Sequence, residues 1–301
     1  MLKELQNIFP SSILYDKFNH EKSEADHYKW FLLTNSQIIG IPKNDLSEKD
    51  LALLSTFLDP YETNYPLLTE SEQRWKERIQ ENNESGIRSK TSQPFRFVYF
   101  SIREDQIDPK SFKESLYEFF STPVPILWEN EKEGIIIESK PKNDDESISY
   151  NQIIDVLMSD LYVNIHFFAG PYAEHIKKTG DYYQAILSSA RTAFTYSDKS
   201  VLSYSESIPF LLIDQTSTNF RQELASAVLQ EFTEDEDILQ TVKTFIQCNL
   251  NVSVTAKTLY MHRNSLQYRL DKFIERTGID IRHFHEAMSV YIALLANVHK
   301  G

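Results

Sequence analysis

Residues 251–281 read NVSVTAKTLYMHRNSLQYRLDKFIERTGIDI, two stretches of helical character separated by a short break. Asn251 or Ser253 can cap a short helix running from Val254 to about Leu259, because a short polar side chain there accepts the first free amide N–H groups. Tyr260-Met261-His262 break that helix. A second helix runs from Arg263 to Thr277, where Gly278 offers the left-handed conformation that ends many helices. At 100° per residue, Leu266, Leu270, Phe273 and Thr277 share one face of it. Asn264 and Tyr268 point directly away, with Ser265 and Lys272 on one flank and Gln267 on the other. Small Ala256 sits where the two helices must approach closely. Leu259, Met261, Leu266 and Leu270 would fill the small core between them. Two short helices joined by a three-residue turn, the second basic and polar at its start, form a helix-turn-helix pattern.

Upstream, Ile238, Leu239, Val242, Phe245 and Ile246 make one apolar helical stripe, interrupted at Asn249-Leu250-Asn251. The acidic run Glu234-Asp235-Glu236-Asp237 complements the dipole at its N-terminus. Downstream, a helix over about 284–298 would bury Ala287, Val290, Tyr291, Leu294 and Val298. Charge divides at the same place. Residues 238–301 hold eight Lys and Arg against four Asp and Glu, a balance of +4; the first 237 hold 23 basic and 40 acidic side chains, a balance of −17. The whole-chain value of −13 speaks against coating nucleic acid or anionic membrane along the entire length, but it conceals a basic end fit for a polyanion. Asn264 and Gln267 carry amides of the type that pairs with adenine in the major groove, and Arg263 can bond guanine through two N–H groups. Arg269 and Lys272 are placed to neutralise phosphates.

Ala256, Lys257, Leu259, His262 to Leu266, Tyr268 to Leu270 and Thr277-Gly278 together resemble the C-terminal helix-turn-helix of the PucR/CdaR family of bacterial transcriptional regulators. The family pattern is Ala-Lys-x-Leu, then His-Arg-Asn-(Thr/Ser)-Leu-x-Tyr-Arg-Leu, then Thr-Gly. Ser265 replaces the commoner Thr and keeps the hydroxyl. More distantly, the stretch is similar to the Fis-type helix-turn-helix. The resemblance covers the last 60 or so residues and implies double-stranded DNA as partner, with Arg263, Asn264, Ser265, Gln267, Tyr268 and Arg269 facing it. The expected DNA-binding set is Asn251, Ser253, His262, Arg263, Asn264, Ser265, Gln267, Tyr268, Arg269 and Lys272. Plainer roles stand beside these: His262 as a helix-start residue bonding backbone, Tyr268 as a packed aromatic at a domain interface, Arg276 and Arg282 as solvated charges.

Residues 95–205 alternate between element types. FRFVYFSI (95–102) reads as a strand and Pro109 to Ser121 as a helix with Phe112, Leu116 and Phe119 or Phe120 inward. VPILW (124–128) and GIIIES (134–139) read as a hairpin around ENEKE. A helix near 146–159 would bury Ile153, Val156 and Leu157, and YVNIHFFAG (162–170) is the next strand. A helical stretch over about 172–196, broken at Gly180, carries Tyr183, Ile186, Leu187 and Ala190 inward, and VLSY (201–204) is a last strand. That order is ferredoxin-like. It is also the order of nucleotide cyclase palms, and the family resemblance implies a degenerate GGDEF-like domain here. Where the Gly-Gly-Asp-Glu-Phe turn would sit, the chain has Glu129-Asn130-Glu131-Lys132-Glu133-Gly134, so the paired glycines are gone. Glu104 and Asp105 follow the first strand as two loop acids, which do not by themselves make a metal site.

The first ninety residues mix helix and strand. WFLLTN (30–35) and SQIIGIPK (36–43) resemble a hairpin, and Leu51, Leu54, Phe57 and Leu58 suit a helix. The run TESE from Thr69 has capping-box form and opens a charged helix to about Gln80, followed by a linker over 82–94. His20, His27, His166 and His175 are scattered. A single cysteine, Cys248, allows no internal disulfide or paired-cysteine metal site and fits a reducing compartment. The N-terminus lacks the apolar core of a secretion signal, and no apolar run approaches the roughly 20 residues needed to span a bilayer; IPFLLI and YIALLA are core-sized.

The expectation is an α+β chain in three parts: an N-terminal α/β regulatory region and linker (1–90), a ferredoxin-like, degenerate GGDEF-like domain (91–225) and an all-α helix-turn-helix domain (236–301). The expected function is a cytoplasmic transcriptional regulator, not an enzyme, controlling a metabolic operon. It would act as a homodimer or higher homo-oligomer, with a small-molecule effector and with no cofactor, metal or membrane partner. The competing expectations are a cyclase-related enzyme and a protein-binding adaptor using the helical tail.

Overall fold

A computed structural model describes residues 2–14, 27–33, 37–61, 66, 68–82, 93–103, 107–120, 122–141, 149–173 and 178–298. The linker over 82–94, Glu104 and Asp105, His20 and His175 therefore lie wholly or largely outside the described residues.

The N-terminal part is a four-stranded antiparallel sheet in the order β1-β3-β2-β4, from Ile13–Leu14 (β1), Tyr28–Leu32 (β2), Ile38–Pro42 (β3) and Asp59–Tyr61 (β4). The expected hairpin forms, with Trp30 opposite Gly40. A Cβ at Gly40 would come within 2.5 Å of the Trp30 ring, so glycine is what lets the indole lie across the neighbouring strand. Leu2–Ile8 (α1) and Glu48–Phe57 (α2) accompany this sheet around a core of Phe9, Phe31, Leu33, Ile39, Ile41 and Leu58. A Ser47/Asp50 capping box opens α2. Leu51 and Leu54 pack inward as expected, but Phe57, at the last helical position, is turned out and 77% exposed.

Glu70–Glu81 (α3) starts on the capping box expected at Thr69 and Glu72. It is not a free charged helix. Trp75 lies edge-on to Phe95, 4.7 Å between ring centroids, and Glu72 is fully buried. The Glu72 carboxylate accepts hydrogen bonds from Lys113 Nζ at 2.7 Å and from the Ile126 amide at 2.8 Å.

The middle part has a five-stranded sheet in the order β6-β7-β5-β8-β9, from Phe95–Ile102 (β5), Ile126–Asn130 (β6), Glu133–Ser139 (β7), Ile165–Ala169 (β8) and Val201–Ser203 (β9). The first four strands in sequence take the ferredoxin-like arrangement, and β9 adds parallel to β8. Both faces of β5 are covered. Phe95, Phe97 and Tyr99 face α3 and Thr179–Tyr196 (α6), while Val98, Phe100 and Ile102 face Pro109–Tyr117 (α4) and Tyr150–Leu161 (α5). Two-sided burial explains why this strand reads as an almost unbroken apolar run.

Several boundaries differ from the sequence reading. Helix α4 ends at Tyr117 rather than 121. The hairpin turn shrinks to Glu131-Lys132, because Asn130 Oδ1 accepts the Lys132 and Glu133 amides at 2.9 and 3.1 Å and the strands run up to it. Tyr162 closes α5 at φ 55, so β8 begins only at Ile165, and Val156 is 41% exposed instead of buried. Helix α6 begins at Thr179, which puts Gly180 in its first turn and not at an internal break.

Two further helices, Tyr204–Asp214 (α7) and Thr218–Leu229 (α8), follow β9 where the sequence had shown only a core-sized run. The last four are Glu236–Gln247 (α9), Val252–Thr258 (α10), Arg263–Thr277 (α11) and Phe284–Val298 (α12), close to their expected bounds. One apolar cluster runs from the Phe97 face of the sheet through Phe210 and Leu229 to Val242, Leu270, Phe273 and Val290. Among the described residues, no helix is long and apolar enough to cross a membrane.

Candidate nucleic-acid interface

Helix α10 is capped by Asn251, whose Oδ1 accepts the Ser253 and Val254 amides at 2.9 and 3.1 Å; Ser253, the other candidate, is exposed. At its far end the Tyr260 amide donates to Lys257 O at 3.2 Å and the Met261 amide to Ala256 O at 2.8 Å. That pair of bonds is a Schellman motif, with Tyr260 in the left-handed position at φ 52. Helix α11 then begins on His262, whose Nδ1 accepts the Asn264 amide at 3.3 Å, the backbone role weighed for it above. Gly278 ends α11 at φ 73. Both helices are thus started by a side-chain cap and ended by a left-handed residue, and the angle between them follows from residues 259–262.

The inner face of α11 is as the periodicity required: Leu266, Leu270, Phe273 and Thr277 are buried, and Ala256 of α10 is buried beside them. On the outer face Arg263, Asn264, Ser265, Gln267 and Tyr268 are exposed, Tyr268 to 71%. An open groove of about 700 Å³ includes Asn264, Ser265, Tyr268 and Arg269 in its lining, together with Asp235 and Asp237 of the acidic run before and into α9.

The two residues expected on phosphates are partly engaged within the protein. Arg269 is half-buried, its Nη1 donating to Thr241 Oγ1 at 3.1 Å and at the longer distance of 3.5 Å to Asp237 O. Lys272 Nζ lies 5.8 Å from the centroid of the Phe232 ring, within cation–π range. Arg276 pairs with Glu231 at 3.5 Å, and Arg282 with Asp280 at 2.8 Å and Asp271 at 3.4 Å. The hydrogen bonds from Arg282 hold the Asp280 carboxyl below its usual range. Tyr260, 98% exposed, and the groove-lining Asp235 and Asp237 were not singled out from sequence. The former stood in a break between helices, and the acids had been read only as a helix lead-in.

At the β6–β7 hairpin the carboxylates have partners. Glu129 accepts from Tyr183 Oη at 2.6 Å, and Glu133 from Tyr99 Oη and Arg191 Nη2, each at 2.6 Å. Burial pushes the Glu133 carboxyl up, but the bonds from Arg191, Tyr99 and Asn130 outweigh it and hold the group below the usual carboxylate range. The His166 ring lies tilted against Phe194 with 5.0 Å between centroids, and burial together with Arg103 pushes its pKa down.

Residues 238–296 match the PucR C-terminal helix-turn-helix domain family. Along its whole length the chain is similar to YxkF of Bacillus subtilis, 30% identical over 305 residues that cover 98% of this chain and 99% of that protein. It is also similar to a protein of Streptococcus dysgalactiae subsp. equisimilis called leucine-rich protein, 23% identical over 271 residues, or 86% of this chain and 89% of the other. The carbohydrate diacid regulator of Escherichia coli is 33% identical over 89 residues, 29% of this chain and 23% of that regulator.

Proposed function

We propose, since this chain belongs to the same family as YxkF and carries the PucR C-terminal helix-turn-helix domain, that it is a DNA-binding transcriptional regulator reading the major groove with α11. The observation that carries this reading is the two-sidedness of α11. Its inner face is fixed in the core, and its outer face presents Arg263, Asn264, Ser265, Gln267 and Tyr268 to solvent. Arg263, Asn264 and Gln267 supply planar donor and acceptor groups that can address base edges in pairs. Asn251 and His262 set the starts of the two helices, and Ser253 stands exposed beside the first cap. Arg269 and Lys272 keep donors beyond those already used and flank the phosphates. The similarity to a named regulator, the carbohydrate diacid regulator, supports the same role.

One short recognition helix makes few base contacts, so a homodimer on paired half-sites supplies the remaining affinity. The division into 1–90, 91–225 and 236–301 assigns sensing of a small-molecule effector to the acidic parts, and control of a metabolic operon in the bacterial cytoplasm to the whole. The middle part acts as a catalytically silent relative of GGDEF domains: its hairpin carboxylates serve tyrosines and an arginine. The test is selection of bound duplexes from a random-sequence library by the full-length protein. One recurrent motif is expected. Absence of enrichment, or turnover of GTP with Mg²⁺ that is lost on mutating the hairpin carboxylates, would contradict the reading.

A further inference from the structure

Tyr260 stands at the turn between α10 and α11 in a conformation that side chains with a Cβ rarely adopt, φ 52. Its place in the Schellman motif is one that glycine fills most often, because glycine meets no steric cost there. The backbone is held by the Schellman hydrogen bonds, but the side chain adds no packing: it is 98% exposed, so the ring gains almost nothing from burial. A bulky aromatic kept in a left-handed turn without packing stabilises the fold less than glycine would there, and in Tyr260 this coincides with a place beside the start of α11. The turn also has a defined position. Two residues later His262 caps α11, and the exposed Arg263, Asn264 and Ser265 follow at once. If the start of α11 enters the major groove, the residues just before it pass the groove rim, where the sugar-phosphate backbone runs. Exposed Lys257 lies three residues earlier, in the last turn of α10, and carries a positive charge.

We infer that Tyr260 is a DNA-backbone contact, its phenol donating to a phosphate oxygen while its ring covers the adjoining sugar. This inference rests on the DNA-binding reading above. A backbone contact fixes position and carries no sequence information, so Tyr260 strengthens binding to every duplex about equally. It is separate from Tyr268, which lies on the outer face of α11 among the base-reading candidates.

The structure also supplies a control. Tyr162 closes α5 in the same conformation, φ 55, and is 79% exposed, but it belongs to the middle part. Tyr260→Gly, Tyr260→Phe and Tyr162→Gly are compared in the full-length protein, using a library-selected duplex and a scrambled duplex of equal length, with thermal unfolding of each variant. Tyr260→Gly should weaken binding to both duplexes by about fivefold, the effect of losing one backbone contact, with its melting temperature unchanged or raised. Tyr260→Phe, which keeps the ring, should fall between it and the wild type. Tyr162→Gly should gain stability likewise and bind as the wild type does. Unchanged affinity in Tyr260→Gly overturns the inference, and so does a loss of affinity that comes with a loss of stability, which would make the tyrosine structural. A wild-type protein that selects no duplex overturns the DNA reading itself and this inference with it.

Discussion

The Arg269 guanidinium donates to Thr241 Oγ1 across 3.1 Å, and this bond fastens α11 to α9. Thr241 is almost fully buried and its hydroxyl donates a hydrogen bond to Asp237 O at 2.7 Å, so it has both a donor and an acceptor in place. Thr241→Val keeps the shape and removes the bonds. It should cost about 1 kcal/mol in urea unfolding, the usual net worth of such a bond. In a double-mutant cycle with Arg269→Ala a coupling of roughly 0.5–1 kcal/mol is expected; additive losses would show that the bond contributes nothing.

The Lys272 ammonium group lies 5.8 Å from the Phe232 ring centroid on a side chain that stays partly exposed, so it can still reach a phosphate. Lys272→Ala should weaken binding to all duplexes alike and lower the slope of log affinity against log salt by about 1, as for loss of one phosphate contact. Anisotropy titrations at several salt concentrations measure this, and a change confined to one sequence would assign Lys272 to base reading.

Glu72 and Lys113 form a buried ion pair that joins α3 to the middle part. Glu72→Gln leaves the lysine buried without its counter-charge, and such losses cost about 3–5 kcal/mol. The variant should unfold at markedly lower denaturant, and limited proteolysis should cut α3 first. Wild-type stability would mean that water reaches Lys113.

Glu133 contributes stability with a predictable pH dependence. Its folded-state pKa lies below the ordinary value, so the contribution is complete above about pH 5 and is lost as pH falls through the folded pKa. Arg191 is more than half exposed, so solvent limits the pair to at most about 1 kcal/mol. The stability gap between wild type and Arg191→Ala should be widest near neutrality and close as pH falls through the lowered Glu133 pKa. A gap independent of pH would assign the effect of Arg191 to packing.

How far the sequence could be read depended on where each residue found its partners. Helices α10 and α11 were legible because their determinants are local: Asn251 caps, Gly278 stops, and Leu266, Leu270 and Phe273 repeat with the helical period. The strand order of the middle part followed from its succession of elements for the same reason. Helix α7 was missed, since Ile208, Leu211 and Leu212 put apolar side chains outside the buried Phe210 and Ile213 stripe and blur the period. Partners supplied by distant segments left no local trace. Glu72 read only as part of a capping box, with nothing local to show Lys113 and the Ile126 amide closing over it, and Arg269 read as a phosphate contact, with nothing local to show its bond to Thr241 of α9.

The central claim is that the first turns of α11 read base sequence, and Arg263 is the residue on which it can be tested most directly. The measurement is the ratio of affinities for a library-selected duplex and a scrambled duplex, at one fixed salt concentration, in wild type and Arg263→Ala. Loss of a bidentate base contact is worth about 1–3 kcal/mol, so the ratio should fall by roughly five- to a hundredfold, almost wholly through weaker binding of the selected duplex. An Arg263→Ala protein that keeps the wild-type ratio would contradict the account.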